Sequence, residues 1–418
     1  MDALQETYYA LNPWWEGAVP DTGIPRPSYL NTLGSALDRA QIEVLVGGRR
    51  VGKTTLVRQL VARCLKQEIA PRDVLYLALD HPRLSTLPIS GHLRRFRALF
   101  GHERRRKLWL MLDEVQESPD WESELKAIHD LENVKLVCTG STAALIASQG
   151  GKLTGRQLLI NVYPLDFAEF LAFRRYEFGA AEEYRYVAAA EEYLETGGYP
   201  EQVLQPSEFY LSQLLDDVVA RDLVRLGRLR RPEAVRDLLR LLAAGVGART
   251  SYARLAKALG IAVDTVKEYE SHLTMAYLIK ALPKWTTSHT ERVYAQRKVY
   301  FIDTGVKAVF TGKGDLGSKA EQAVFVHLLR ASAECGYYAE SEREVDFVVG
   351  SVQQPAAIEV KYDNEFDWSD RRLHGIRLFL RRFPACREVT VVTRDAVAEL
   401  QAGETRVVAL PLWRYLLQ

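Results

Sequence analysis

The run Gly47-Gly48-Arg49-Arg50-Val51-Gly52-Lys53-Thr54-Thr55 decides the reading of this chain. It fits the pattern GxxxxGK[ST]. An apolar, strand-like run at 42–46 leads directly into it, and a helix-like stretch at 54–66 follows. Strand before and helix after are the context in which the pattern has a mechanism. The glycines let successive backbone N–H groups curl around a polyphosphate. The first turn of the helix adds the positive end of its dipole. Lys53 is placed to reach the β- and γ-phosphates and Thr54 to ligate Mg²⁺. Residues 47–55 are therefore the expected nucleotide contacts.

Working outward, further apolar runs at 74–79, 108–112 and 134–138 alternate with amphipathic stretches. Short apolar strands separated by helices predict a parallel sheet covered on both faces, an α/β architecture. The run at 108–112 ends in Asp113-Glu114. An acid at a strand end beside the phosphate loop is placed to hold the Mg²⁺ shell, the role expected of Asp113. Glu114 is placed to polarise an attacking water. The run at 134–138 ends in Thr139-Gly140-Ser141. A hydroxyl there, assigned to Ser141, is expected between Asp113 and the γ-phosphate.

Composition sets the outer bounds. A length of 418 residues suggests about three domains. With 47% hydrophobic and 26% charged residues the chain is ordinary for a globular protein, which excludes a disordered tail or a collagen-like fibre. Basic and acidic residues nearly cancel, 55 against 54, so any basic surface has to be local. Cys64, Cys138, Cys335 and Cys386 are scattered and form no CxxC, which suits a reducing compartment. No apolar run approaches the ~18 residues of a membrane helix. The first residues lack the basic and apolar regions of a secretory signal. The expectation is a cytoplasmic protein with no membrane contact.

The pattern changes near residue 165. From 166 to 226 the periodicity is helical, broken at Gly197-Gly198-Tyr199-Pro200. Arg228-Leu229-Arg230-Arg231-Pro232 reads as a linker. Residues 233–290 read as three short helices and a hairpin. Two of the helices have helix-turn-helix spacing, with Gly260 ending the first and Asp264 expected to cap the second. Residues 277–285 are expected to supply a wing. Lys267 on the second helix is offset by Asp264, Glu268 and Glu270, and no arginine is there to read guanine. Packing between domains is the favoured role of this segment. From 292 onward the pattern is mixed α/β, with a helix at 318–331, strands at 337–350, 356–362 and 389–393, and a helix from about 368. Expected boundaries are 1–165, 166–231, 232–290 and 291–418.

The phosphate loop, Asp113-Glu114 and a polar residue after the next strand together resemble an AAA+ ATPase. That resemblance implies ATP as the nucleotide, a helical lid at 166–231, and a homo-oligomer, with a hexamer as the family-based size. It also places Arg156, in Leu153-Thr154-Gly155-Arg156, as an arginine finger acting on a neighbouring subunit's nucleotide. More narrowly, the chain resembles a bacterial and archaeal ATPase family that joins an AAA core to a winged helix and a restriction-endonuclease-like tail. The matching phrases include Leu112-Asp113-Glu114-Val115-Gln116, Pro164-Leu165-Asp166-Phe167-Ala168-Glu169-Phe170 and Gly197-Gly198-Tyr199-Pro200-Glu201.

The tail adds Glu344-Val345-Asp346 and Ile358-Glu359-Val360-Lys361. Glu359 and Lys361 are two apart and share one strand face. This set resembles the PD-(D/E)xK nucleases. The resemblance implies Asp346 and Glu359 as the main Mg²⁺ ligands, Glu321 as an accessory ligand and Lys361 as the catalytic lysine, acting on DNA. Val345 stands where that family has proline. Arg371, Arg377 and Arg381 are not expected to share one helix face, so part of that basic run is solvated and part is available to track phosphates. The expected function is an ATP-driven motor coupled to a Mg²⁺-dependent DNA nuclease. The rival is a nucleotide-gated signalling or defence switch with an inactive or conditional nuclease-like effector.

Overall fold

The apolar runs around the phosphate loop pair side by side in the computed structural model, which describes residues 2–18, 21–140, 151–179, 182–223 and 231–418. The strands are β1 (Ile42–Gly47), β2 (Val74–Ala78), β3 (Leu108–Asp113), β4 (Val134–Gly140) and β5 (Gln157–Val162). Their order in the sheet is β2-β3-β4-β1-β5, and all four pairings are parallel. Such a sheet has to be buried on both faces. β1 is buried along its whole length, and β3 and β4 nearly so. The edge strand β5 is the exception, exposing Leu158 and Leu159. These strands belong to the first of two compact units, Met1–Val162 and Tyr163–Gln418.

The other edge, β2, is sealed by the N-terminal phrase Asn12-Pro13-Trp14-Trp15. Asn12 Nδ2 donates to Tyr76 O at 3.0 Å, and Tyr76 N donates back to Asn12 Oδ1 at 2.6 Å. The indoles of Trp14 and Trp15 both donate to Val74 O, at 3.2 and 2.9 Å. Side chains thus satisfy backbone groups that an open edge would present to another strand. Trp15 also stacks on Phe96 at 5.5 Å.

The second unit begins with helices Phe167–Arg174, Glu183–Thr196, Pro200–Leu204 and Tyr210–Asp217. The first carries a full capping box, in which Asp166 and Glu169 bond each other's backbone N–H. The break at Gly197-Gly198 is a close approach. A Cβ on Gly198 would lie 2.2 Å from Leu165 O. The buried Asp303 holds this loop, accepting from Gly198 N at 2.6 Å and Val306 N at 3.0 Å. Burial lifts its carboxyl to about 6. Residues 224–230, most of the expected linker, lie outside the described residues; Pro232 opens the helix Pro232–Ala244.

Helices Tyr252–Leu259 and Val263–Met275 follow, joined at Gly260 in the left-handed conformation. Two expectations are corrected here. The cap of the second helix is Ala262; Asp264 lies in the first turn and pairs with Lys267 at 3.0 Å. The strand β6 (Ile279–Leu282) does not close a hairpin within 277–285. Its antiparallel partner is β7 (Lys298–Phe301), beyond the helix His289–Tyr294.

The last sheet contains β8 (Cys335–Glu340), β9 (Arg343–Val349), β10 (Ala356–Val360), β11 (Glu388–Thr393), β12 (Ala398–Ala402) and β13 (Thr405–Pro411). Its order is β12-β13-β11-β10-β9-β8, with the central pairs β10–β11 and β11–β13 parallel. Leu373, Ile376 and Phe379 pack on Val345, Val348, Val389 and Val391 on one face. The helix Leu316–Arg330 packs against β10 and β7. All four cysteines are free, and among the described residues no helix is long and apolar enough to cross a membrane.

Replacing Asn12 with Ala removes both partners of the Tyr76 backbone while leaving that edge buried. The expected cost is roughly 2–4 kcal/mol, from two unsatisfied groups. Denaturant unfolding of wild type and Asn12→Ala measures it. A loss under about 1 kcal/mol would mean that water takes over the sealing role.

Candidate functional site

At the C-terminal end of β1 the chain turns tightly. A Cβ on Gly47 would lie 2.2 Å from Val162 O on β5. Arg50 and Gly52 have φ of 59° and 95°, the left-handed region that curls the loop back on itself. The helix Lys53–Lys66 then starts with no side-chain cap. A helix N-terminus of this kind suits a phosphate, to which it presents the positive end of its dipole. The buried Lys53 Nζ donates to Gly47 O at 3.0 Å and Gly48 O at 2.8 Å.

Opposite this loop, at the end of β3, the buried Asp113 collects three hydroxyls. Thr54 Oγ1 donates to Oδ2 at 2.8 Å and Tyr76 OH to the same oxygen at 3.0 Å. Thr139 Oγ1 donates to Oδ1 and accepts from Glu114 N at 3.0 Å. Sheet order explains the last contact, because β4 lies between β1 and β3. Ser141, assigned the hydroxyl role from sequence, lies outside the described residues. Thr139 is the hydroxyl that reaches Asp113, and Tyr76 went unnoticed because nothing local marks it. Glu114 has a left-handed φ of 54°, which turns the chain out of the strand directly after Asp113. Its Oε2 accepts from Gln116 Nε2 at 2.5 Å.

Arg156 stands at the other end of the sheet. Ile42 N donates to Arg156 O at 2.8 Å at the start of β5, whereas Gly47 pairs with Val162 at its end. Five residues of strand put about 17 Å between Arg156 and the phosphate loop. Its guanidinium holds Asp130 in a fork, at 2.8 and 3.1 Å. Arg156, and then His129, hold Asp130 down at about 2. Arg156 does not contact this chain's own nucleotide loop.

The carboxylates of the second unit come together around a strand irregularity. Gly336 pairs with Val348 but Tyr338 with Val345, so β9 carries one extra residue at 346–347. Such a bulge re-aims side chains and ends regular pairing. The β9–β10 ladder stops at Ile358–Phe347. Beyond it, Asp346 N donates to Glu359 Oε2 at 3.1 Å, and Val360 N to Asp346 Oδ2 at 3.0 Å. Two carboxylates thus replace the missing ladder bonds. Lys361 Nζ donates to Glu359 Oε1 at 2.6 Å, as same-face spacing requires.

One residue here was not anticipated. Lys298 of β7, 1% exposed, has its Nζ 2.6 Å from Glu344 Oε1, 3.1 Å from Glu321 Oε1 and 3.2 Å from Asp346 Oδ1. Tyr300, two residues on, donates to Glu321 Oε1 at 2.6 Å. Burial opposes the Lys298 charge, but Asp346, Glu321 and Glu344 raise its pKa above the ordinary lysine value. Burial opposes the charge on Asp346 too, yet Lys298 and then Lys361 hold it below the carboxylate range. Burial and then Asp346 push Glu321 up. The same two causes lift Glu359 to about 8 against the pull of Lys361. The repulsion expected to draw in Mg²⁺ at Glu321, Asp346 and Glu359 is therefore relieved by an ammonium. Among the described residues no group of three or more His, Cys, Asp or Glu is arranged to hold a metal ion. The donor set with Lys298 at its centre does not fit a divalent cation.

The basic run needs a correction as well. Arg371 lies in a 3-10 turn leading into the helix His374–Arg382. After the effect of burial, Arg343, Arg377, Arg381 and Arg371 all push the His374 imidazole below its ordinary value. With Arg371 in that turn, spacings of three, three and four residues from 371 through 374 and 377 to 381 bring Arg371, Arg377 and Arg381 round His374, and Arg343 reaches it from β9. On the helix Val263–Met275, the exposed Lys267 is tied to Asp264.

Known proteins resemble this chain in parts. Residues 39–171 match an AAA domain. Residues 187–316 match a domain of unknown function, DUF8612, and residues 316–415 another, DUF4143. An uncharacterized protein of Haemophilus influenzae is 23% identical over 351 residues, covering 81% of this chain and 87% of its own. Another from Methanocaldococcus jannaschii is 25% identical over 329 residues, 74% of this chain and 72% of its own. A solved structure of the replication initiator DnaA bound to AMPPCP and single-stranded DNA is 15% identical. It covers 65% of this chain and 93% of that one, with a TM-score of 0.30. Residues 39–171 are an AAA-type, ATPase-like domain, and their sheet is the parallel α/β sheet described above.

Proposed function

We propose that the protein hydrolyses ATP in its first unit and uses the cycle to act on DNA through its second. The observation that carries the ATP half is the Asp113 carboxylate, which gathers Thr54 and Thr139 within hydrogen-bond reach of one another's partner, beside a lysine-held glycine loop. The backbone amides of the loop and of the first helical turn bind the phosphates. Lys53 exchanges its hold on Gly47 O and Gly48 O for the phosphate oxygens. Glu114 orients and polarises the attacking water, and Thr139, bonded to both Asp113 and Glu114 N, links that carboxylate to the β4 strand end. The Thr54 hydroxyl and Asp113 carboxylate are hard oxygen donors that fit Mg²⁺. Bound there, the ion would neutralise charge on the phosphates.

Assembly follows from Arg156. Its distance from its own phosphate loop supports action on a neighbour's nucleotide in a homo-oligomer, for which it would have to exchange Asp130 for phosphate. The region 166–231 is proposed as a lid, 232–290 as the winged helix and 291–418 as the PD-(D/E)xK-like part. The DNA half rests on the shared face of Arg343, Arg371, Arg377 and Arg381. A cluster of guanidiniums, Arg343 from β9 and the others from the turn and helix at 371–382, suits a phosphodiester backbone.

A motor with a constantly active Mg²⁺-dependent nuclease would need Glu321, Asp346 and Glu359 free for a metal. Lys298 among them favours the second reading, a nucleotide-gated switch whose nuclease-like part is inactive or conditional. A panel of labelled single strands, duplexes, forks and four-way junctions, with and without ATP, Mg²⁺ and Mn²⁺, separates the two. Cleavage of any of them without further treatment supports the motor–nuclease. Tightly retained ADP with slow turnover supports the switch.

Three outcomes are expected from variants. Lys53→Ala abolishes hydrolysis by weakening phosphate binding, whereas Glu114→Gln lowers kcat at least about 100-fold yet still binds nucleotide. A wild-type rate in Glu114→Gln would remove its assignment. Mixing Arg156→Ala with Lys53→Ala subunits restores part of the activity, since some interfaces then pair an intact loop with an intact arginine. A particle that stays monomeric with ATP, by light scattering, would rule out that arrangement. Finally, the triple variant Arg343→Gln, Arg371→Gln, Arg381→Gln flattens the salt dependence of duplex binding, log K against log salt, by about 2–3. An unchanged slope in fluorescence anisotropy would put the DNA surface elsewhere.

A further inference from the structure

Three features of Lys298 go beyond an ordinary buried ion pair. Its ammonium has three protons, and three carboxylates converge on it, from Glu321, Glu344 and Asp346. It is 1% exposed, so none of this charge is left to water. It also comes from outside the sheet that carries Glu344 and Asp346: among the described residues β7 pairs with β6. The match to the domain containing Glu321, Glu344 and Asp346 begins only at residue 316.

We infer that Lys298 is the resident cation of this cluster, standing where a divalent metal would have to bind, so that the nuclease-like site is closed at rest. The inference rests on the PD-(D/E)xK-like reading of Asp346, Glu359 and Lys361. A dication shared by Glu321 and Asp346 would lie within a few ångströms of Lys298 Nζ, and two cations that close repel strongly in a buried site. The acid pair keeps no oxygen clear of protein donors either. Asp346 accepts from Lys298 and Val360 N, and Glu359 from Lys361 and Asp346 N. Tyr300 braces Glu321 from the same face of β7. Lysine and tyrosine two residues apart enter or leave the cluster together, because successive same-face positions of a strand move as one. The cluster opens to a metal when the β7 side chains withdraw.

The test is Mn²⁺ binding to the full-length, nucleotide-free protein, followed by electron paramagnetic resonance of the free ion. Wild type should show no Mn²⁺ site that Asp346→Asn removes. Lys298→Met should gain one, at least about tenfold tighter than anything wild type has there, since three facing carboxylates then lack a cation. Adding Asp346→Asn to Lys298→Met should abolish the gain. A wild-type Mn²⁺ site lost in Asp346→Asn overturns the inference, as does a folded Lys298→Met that binds none. Should Lys298→Met unfold, thermal melts with and without Mn²⁺ decide. Recovery by the ion supports the exchange of one cation for the other, and an unfolded chain at every Mn²⁺ concentration refutes it. Mn²⁺ uptake by Lys298→Met with no DNA cleavage leaves the lysine's role standing and sinks the nuclease reading. Both stand if Lys298→Met binds Mn²⁺ and cuts DNA.

Discussion

A carboxylate taken out of water has to find donors, and the kind of donor it finds sets what else can bind it. Asp113 finds three hydroxyls. Hydroxyls satisfy its lone pairs without cancelling its charge, so the first unit keeps a buried negative group next to an uncapped helix N-terminus and a lysine. That combination is made for a polyphosphate with its cation. Asp346 and Glu321 find an ammonium instead. Their charge is neutralised by the chain itself. Two acidic sites in one protein therefore differ less in their acids than in their donors.

The backbone builds each arrangement at a strand end. In the first unit the parallel order puts β4 between β1 and β3, so the Thr139 hydroxyl comes between the phosphate loop and Asp113 without special geometry. In the second unit regular pairing would have left no room. The extra residue in β9 ends the ladder with β10, and the exposed backbone N–H groups of Asp346 and Val360 are then taken up by Glu359 and Asp346. The same bulge lets Phe347 pack beside Phe325 on the helix that carries Glu321. The irregularity is what brings helix, sheet and acids to one point.

Local patterns were the legible part. The loop Gly47–Thr55, the strand runs and Asp113-Glu114 could be read because their spacing is short and each neighbour constrains the next. Features that depend on a distant approach could not. Lys298 precedes Glu321 by 23 positions and sits on a strand, β7, that the expected wing at 277–285 does not include. Nothing in its neighbourhood separates it from a surface lysine. The use of Asn12-Pro13-Trp14-Trp15 as a seal on β2 depends on Tyr76, 64 positions further along the chain. The arginine face was misjudged for a different reason. A helix from about 368 was assumed, whereas a 3-10 turn precedes His374 and brings Arg371 round to the others. Of the four nuclease-type positions, all lie in one cluster, but its electrostatics belong to a residue outside the motif.

Strand geometry makes the state of that cluster an all-or-none property. β7 is four residues long and pairs with β6 at Ile279–Phe301, Lys280–Tyr300, Ala281–Val299 and Leu282–Lys298. A shift of one residue would turn Lys298 and Tyr300 away together and present Val299 and Phe301 to three carboxylates. Such a state would be costly unless another cation replaced the lysine. The register of this strand pair and the charge of the acidic cluster are then one variable.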